Sequence, residues 1–344
     1  MTLVYNELEQ YVEHELYEQL PNERAKEIFS AYVEARPRVH KEIERIAKTE
    51  PNLTDHGPRH IDDVMRRILT VISTDNTQHG FTCHDLYILL MATLFHDVGN
   101  LFGRKKHSEN IGQVFDFARG KSSALRREKS LVMSAARAHT GTSSIGDEDT
   151  LSELDEYAHF HDCAIQLRSI AAVLRLSDEL AEGPQRTTEF YRAKVGYDPD
   201  SCIYHEYANC TSILADRNNM RICLTYDIDL DDYLDAQREI DKPKLIALLD
   251  YIKTRIAKLD QERRYTRYYC SVIEPFKRTE VTIAFSFDGN VLPDPIGFSL
   301  DDLVVPGQSG QGTEVLVDER FGNSNCVTNG LCEIISSFEA ADDD

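Results

Sequence analysis

Apolar residues recur every three or four positions along most of the first half of the chain, the spacing that places them on one face of an α-helix. The pattern runs to about Glu50 with a break at Pro21-Asn22, and another helix is predicted to begin near Thr54-Asp55, before HIDDVMRRILTVI. Further helices are predicted at 83–97, 108–118, 124–139 and 162–181. The first 195 residues are therefore expected to form an all-helical bundle.

Beyond residue 195, apolar and polar residues alternate as they do in β-strands. SCIYHEYANCTSILADRNNMRICLTYDID alternates on both sides of a turn-like Asp-Arg-Asn-Asn, which predicts a β-hairpin. A long helix is predicted over 241–266, and EVTIAFSFDGN predicts a third strand. The expected fold class is mainly α, with a small C-terminal α+β region at 196–300 and a flexible acidic tail at 301–344.

The charge of the chain restricts its partners. Its 59 acidic and 38 basic residues give a formal net charge of -21, which repels a long nucleic acid unless basic residues cluster locally. A small anionic substrate of the nucleotide type is easier to accommodate. The oligomeric state stays open, a homo-oligomer included.

The cysteines and the apolar runs bear on the compartment. The eight cysteines include no CxxC pair, which favours reduced thiols over a disulfide framework. The N-terminus carries acids where a signal peptide needs bases, and the longest apolar run, Tyr87 to Phe95, is far below the ~20 residues of a membrane span. We expect a soluble cytoplasmic protein with no membrane partner.

Histidines and aspartates form an ordered series at the ends of the predicted helices. Side chains from facing helices of a bundle can converge on one interior point, as they do in carboxylate and imidazole metal sites. A buried carboxylate is costly unless it is paired or bound to a metal, so adjacent His96 and Asp97 at the end of an apolar helix indicate a metal site. The predicted ligand series is His60, His96, Asp97, His107, His139 and Asp178.

The order of these residues resembles that of the HD-domain metal-dependent phosphohydrolase superfamily. The segment PRHIDDV is similar to the first His motif of the family and carries His60, FHDVG carries the central pair, and LRLSDEL resembles the last Asp motif. The resemblance covers roughly residues 50 to 182. It implies a helical HD-type phosphohydrolase domain at 1–195 that binds one or two divalent ions from among Mn, Fe, Ni, Zn, Co and Mg.

The resemblance also implies roles for individual residues. His107 and His139 are placed to bind a second ion, and His96 and Asp97 are the expected catalytic pair. A metal lowers the pKa of bound water from 15.7 toward ~7, which would supply hydroxide for attack on phosphorus. The residues predicted to bind the substrate, by their position beside these motifs, are His56, Arg104, Lys105, Lys106, Arg137 and Arg175.

Three functions are compatible with these sequence features. The leading prediction is a metal-dependent phosphohydrolase that hydrolyses a phosphoester of a nucleotide or nucleotide-derived substrate by metal-activated water. The first alternative is a nuclease or a cyclic (oligo)nucleotide phosphodiesterase, and the acidic balance argues against long DNA or RNA but not against a short cyclic substrate. The second alternative is a metal-binding or nucleotide-sensing regulatory module without turnover.

Overall fold

The computed structural model describes residues 4–72, 80–103, 107–139, 148–188, 195–302 and 312–342, with side chains throughout except at 107–109 and 337–342. The chain divides into two compact units. The first comprises Met1–Ala181 and Arg264–Glu274, and the second comprises Glu182–Arg263 and Pro275–Asp344. None of the helices within the described residues is long and apolar enough to cross a membrane.

The first unit is a bundle of helices, as the apolar spacing predicts. Short 3₁₀ turns lie at Val98–Phe102 and Ser123–Leu125, and a small antiparallel hairpin is formed by β1 (Ala158–Phe160) and β2 (Cys163–Ile165). The helices are α1 (Glu7–Gln19), α2 (Asn22–Ile43), α3 (Ile46–Thr49), α4 (Pro58–Val71), α5 (Cys83–Phe95), α6 (His107–Arg119), α7 (Arg126–Arg137) and α8 (Leu167–Leu180).

Helix α5 lies at the centre of this unit. Every one of its residues from Cys83 to Phe95 is buried, which is the behaviour of a helix that is apolar on all sides. It packs against α1, α2, α7 and α8. Because α5 is surrounded in this way, the residues that follow its last turn are also held in the interior.

One carboxylate ties the start of α5 to the start of α8. Asp85 closes a capping box with Thr82, and its other oxygen accepts a hydrogen bond of 2.7 Å from the Gln166 backbone N–H. The two helices then rise side by side, and His96 and Asp178 follow these anchors by 11 and 12 residues. At 1.5 Å per residue both lie about 17 Å from the shared anchor, so they come level with each other.

The second unit combines helices with one sheet. Its sheet contains β3 (Thr211–Asp216), β4 (Arg221–Asp229), β5 (Arg278–Phe287), β6 (Asn290–Val291) and β7 (Ile296–Asp301). Strand β4 pairs antiparallel with β3 and parallel with β5, which in turn pairs antiparallel with β6 and β7. Parallel neighbours need a long crossover. The helix Lys242–Tyr269 supplies much of it, and its last residues belong to the first unit.

The fold class, mainly α with a small C-terminal α+β region, is confirmed, but three local predictions are wrong. The alternating run that begins at Ser201 is helical up to Cys210, because Pro199 at the first turn starts the helix Pro199–Cys210 and strand β3 begins only at Thr211. The helix predicted from residue 162 begins at Leu167. The strands before it are only three residues long, too short for a readable alternation.

The flexible acidic tail predicted over 301–344 is also corrected. The structure has helices at Thr313–Phe321 and Ser324–Asp342. Their apolar residues Val317, Phe321, Leu331 and Ile335 are buried, so the segment contributes to a core despite its polar composition. A polar average over a segment hides a few apolar residues at helical spacing.

Candidate metal centre

His96 and Asp97 directly follow the last turn of the buried helix α5. His96 is fully buried, and Asp97 is 6% exposed. The His96 Nδ1–H donates a hydrogen bond of 2.8 Å to the carbonyl oxygen of Thr93, one turn back in the helix. This bond fixes the Nδ1 proton, so Nε2 is the nitrogen that the neutral ring offers to a metal.

The His60 ring reaches the same point from the first turn of α4. Its Nε2 lies 3.5 Å from Asp97 Oδ2 and 3.1 Å from Asp178 Oδ1. His96 Nε2 lies 3.3 Å and 3.7 Å from the same two oxygens. The two rings are 5.4 Å apart between centroids. Helices α4, α5 and α8 thus bring two imidazoles and two carboxylates together, although 118 residues separate His60 from Asp178.

Two further histidines border this group. His139, just after the last turn of α7, has its Nε2 3.7 Å from Asp97 Oδ1. Its Nδ1 is bonded to the carbonyl oxygen of Ala136, so its Nε2 is the ring nitrogen turned toward Asp97, as is that of His96. His56, before α4, has its Nε2 3.9 Å from Asp97 Oδ2. Asp97 is therefore approached by imidazoles from several directions.

The nitrogen atoms at the centre of this group lack ordinary partners. Nδ1 and Nε2 of His60 and Nε2 of His96 are buried without a hydrogen bond of normal geometry to any described residue. Buried polar atoms are rarely left in this state unless a ligand satisfies them. One ligand atom from each of His60, His96 and Asp97 lies within 4.8 Å of the others, so these three residues could hold one divalent ion.

The donor chemistry of the cluster fits such an ion. Two imidazole nitrogens with a carboxylate suit Mn, Fe, Ni, Zn or Co better than Ca. Within the described part of the chain, no group of His, Cys, Asp or Glu side chains outside this cluster meets the same distance. The cluster is therefore a candidate site for a transition-metal ion.

The charges of the cluster perturb one another strongly. Burial disfavours the charged form of His96, yet the adjacent Asp97 carboxylate outweighs burial and raises the pKa of His96 to about 9. Burial alone would raise the pKa of Asp97, but the positive charges of His96 and His56 hold that pKa well below its usual range. The pKa of Asp178 is likewise lowered against burial, by contact with His60 and the charge of His96. Both carboxylates are thus kept in the form that binds a cation.

The other predicted site residues lie in different places. Arg137, the last residue of α7, is exposed. Arg175 is 7% exposed, and its guanidinium contacts Thr150 and the Ala138 carbonyl. His107 begins α6, but its side chain lies outside the described residues, as do Arg104, Lys105 and Lys106 altogether. Their predicted roles stay predictions.

Residues that orient the ligands were not among the sequence predictions. The Thr82 and Asp85 capping box could have been found, because a Thr followed three residues later by an acid before an apolar run is a recognised helix start. The bond from Asp85 to Gln166 joins residues 81 positions apart. No local pattern in the sequence signals such a contact.

A bundle that gathers His60, an adjacent His-Asp pair and Asp178 around one point has the arrangement of an HD-type domain. The family model HD-CE matches residues 50–258, more than half of the chain, and the matched region includes every predicted metal ligand. The chain belongs to the HD-CE family. The resemblance to the HD superfamily is thereby confirmed. No curated protein and no solved structure matches the chain.

Proposed function

We propose that this protein is a metal-dependent phosphohydrolase that acts on a phosphoester of a nucleotide or nucleotide-derived substrate. The observation that carries the proposal is the set of buried, unpartnered imidazole nitrogens of His60 and His96 that face the Asp97 and Asp178 carboxylates. Imidazole nitrogens and carboxylate oxygens at these distances attract each other only through a shared cation, which is a proton on the ring or a metal ion in its place. Membership of an HD-type family supports the same conclusion.

Each residue of the cluster has a role in the proposal. His60, His96, Asp97 and Asp178 would hold the ion, and His139, whose Nε2 lies 3.7 Å from Asp97 Oδ1, would add a further nitrogen ligand. A divalent ion supplies hydroxide near neutral pH and neutralises charge on the phosphoryl oxygens. The Thr93 and Ala136 carbonyls keep the rings of His96 and His139 turned with Nε2 toward Asp97. These fixed orientations reduce the reorganisation needed when metal binds.

The proposed substrate is a small anion. A chain with a net charge of -21 disfavours long nucleic acids, whereas a phosphoester is attracted by the metal at close range. Arg104, Lys105 and Lys106 follow the His-Asp pair along the chain, and we include them in the proposal as phosphate-binding residues together with His56. The His56 ring lies 5.4 Å from that of His60, at the border of the cluster.

The experiment combines metal removal with a substrate panel. Chelated protein should have no phosphohydrolase activity, and added Mn²⁺ or Co²⁺ should restore it toward a generic phosphodiester and at least one nucleotide. A panel of linear nucleotides, cyclic nucleotides and short oligonucleotides separates a phosphomonoesterase from a phosphodiesterase or nuclease. Full activity in rigorously metal-free protein would contradict the proposal. Metal and nucleotide binding without turnover would favour the sensing module instead.

A further inference from the structure

The carbonyl group that precedes His139 is held by two buried side chains. Thr150 Oγ1 donates a hydrogen bond of 2.9 Å to the Ala138 carbonyl oxygen, and Arg175 Nη1 lies 3.4 Å from the same oxygen. Arg175 Nη1 also donates to Thr150 Oγ1 at 2.7 Å. The three residues are 5%, 4% and 7% exposed. Polar groups at this depth are costly unless paired, so the contacts fix this backbone firmly.

The guanidinium that makes these contacts comes from the helix that also carries Asp178. Arg175 and Asp178 are three residues apart on α8, so they lie on neighbouring positions of one helix face. Asp178 takes part in the cluster, and Arg175 holds the backbone next to His139. Helix α8 therefore sets the position of two candidate ligands, one through its own side chain and one through a bonded backbone.

A tyrosine fixes the other side of the guanidinium. The Tyr265 ring lies 4.8 Å from Arg175 Cζ, a cation–π distance. The hydroxyl of Tyr265 donates to Asp149 Oδ1 and accepts from the Leu151 N–H, both at 2.8 Å. The chain on both sides of Thr150 is thus held to the same tyrosine that stacks on Arg175. These contacts restrict the movement of both partners of the Ala138 carbonyl.

We infer that Arg175 and Thr150 are positioning residues of the metal centre, which hold His139 at its place beside Asp97. The inference rests on the proposed function, because it assumes that His139 binds the metal. It gives Arg175 a different role from the phosphate binding expected from sequence. The two roles make opposite predictions: a positioning residue affects the affinity for metal, whereas a phosphate-binding residue affects the affinity for phosphate.

The test uses the full chain and Co²⁺ alone, whose absorption spectrum reports the ligands around the ion. Thr150→Val keeps the shape of the side chain and removes the hydroxyl. It should weaken Co²⁺ binding by about ten- to hundredfold, the usual effect of losing a residue that orients a ligand. Its Co²⁺ spectrum should shift toward that of His139→Ala. Thr150→Ser, which retains the hydroxyl, should restore both the affinity and the spectrum.

A double variant separates positioning from general disturbance. If Thr150 acts through His139, Thr150→Val should cause no further loss of Co²⁺ affinity in a His139→Ala background. Circular dichroism checks that each variant is folded. Tyr265→Phe keeps the ring beneath Arg175 but loses the bonds to residues 149–151, and it should reduce Co²⁺ affinity by a few-fold. It provides the measurement if Thr150→Val does not fold.

Two matched controls are available in the same unit. The Thr70 hydroxyl donates to the Arg67 carbonyl at 2.7 Å, so Thr70→Val removes an equivalent bond away from the cluster. Arg168 lies on the same helix as Arg175, bonds the Leu154 carbonyl and lies 5.5 Å from the Tyr269 ring. Arg168→Met and Arg175→Met remove the same charge from α8. Only the Arg175 variant should lose Co²⁺ affinity.

The outcomes that overturn the inference are distinct from those that overturn the proposed function. Wild-type Co²⁺ affinity in both Thr150→Val and Arg175→Met would overturn only the inference. Weaker binding of inorganic phosphate to the Co²⁺-loaded Arg175→Met protein, with unchanged Co²⁺ affinity, would overturn it in favour of phosphate binding. A wild-type protein that binds no Co²⁺ would overturn the proposed function and the inference with it.

Discussion

The two units of the protein each bury a charged cluster, and the clusters differ in whether their polar atoms are satisfied. In the second unit, Arg263 is 1% exposed and bonds Asp260 at 2.7 Å, the Phe276 carbonyl at 2.8 Å and Asp302 at 3.0 Å. The Thr279 hydroxyl donates to Asp260 at 2.8 Å and accepts from Arg263. We call this cluster complete, because the Arg263 guanidinium donates to several acceptors and the acceptors all face a donor.

The cluster in the first unit is incomplete by the same criterion. His60 and His96 present unpartnered nitrogens to the Asp97 and Asp178 carboxylates. A buried ion pair with full hydrogen bonding organises a core, whereas buried atoms that share one unfilled point indicate a ligand. Each cluster contains one deeply buried carboxylate and one that is about a quarter exposed, so the state of the individual atoms is what separates a structural pair from a candidate site.

The largest expected effect is the loss of metal on Asp97→Ala. Asp97 lies within 4 Å of four imidazole rings, so its removal deletes the central carboxylate of the cluster. Metal content should fall to background and hydrolysis by at least about a thousandfold, as when a catalytic group is removed. Elemental analysis and activity assays measure both. The protein should remain folded, and Glu179→Ala on the same helix as Asp178 should keep most of its activity.

In the complete cluster, we expect the loss of a carboxylate to lower stability and to leave metal binding unchanged. Asp260→Ala leaves the Arg263 guanidinium buried without its main partner, which should cost about 3 to 5 kcal/mol of unfolding free energy. Denaturant unfolding measures this loss, and Co²⁺ affinity under native conditions should not change. The exposed pair Arg278 and Asp301, 3.2 Å apart, gives the control. Asp301→Ala should cost less than about 1 kcal/mol. A similarly small loss for Asp260→Ala would refute the comparison.

The sequence predicted the incomplete cluster better than the complete one. His96 and Asp97 stand out because they end an apolar helix, and the helical class follows from the spacing of apolar residues. His60 and Asp178 were found through their motifs, since their approach depends on tertiary packing. Arg263 and Asp260 look like an ordinary helix-surface pair three residues apart, and nothing local indicates that both are buried.

Burial that depends on tertiary packing also explains the errors in the predicted fold. The helices at Thr313–Phe321 and Ser324–Asp342 bury only a few apolar residues each, so composition suggested a tail. The interpretation of Arg175 was limited in the same way. Its position three residues before Asp178 is visible in the sequence, but its contacts with Thr150 and Ala138 depend on how α8 packs.

A pH titration tests a buried histidine that belongs to neither cluster. In the first unit, burial and the positive charge of Arg36 lower the pKa of His40 to about 4, below the ~6.5 of an unfolded histidine. The folded state therefore favours neutral His40. This preference contributes about 1 to 3 kcal/mol to the free energy of unfolding. The contribution is fully present above pH 6.5 and is lost as the pH falls from 6.5 through 4. Unfolding of wild type and His40→Gln between pH 7 and 4 measures it, and parallel curves would contradict it.

The smallest expected effect compares two carboxylates of equal exposure, one in each cluster. The Asp178 and Asp302 side chains are 25% and 24% exposed. Asp302→Asn keeps an acceptor for Arg263, which retains Asp260, so it should cost at most about 1 kcal/mol of unfolding free energy and leave metal affinity unchanged. Asp178→Asn replaces a charged ligand with a neutral one and should weaken Co²⁺ binding by about tenfold or more, with little effect on stability. If the two variants changed stability and metal affinity alike, the unpartnered nitrogens of His60 and His96 would not distinguish a metal site from a structural ion pair.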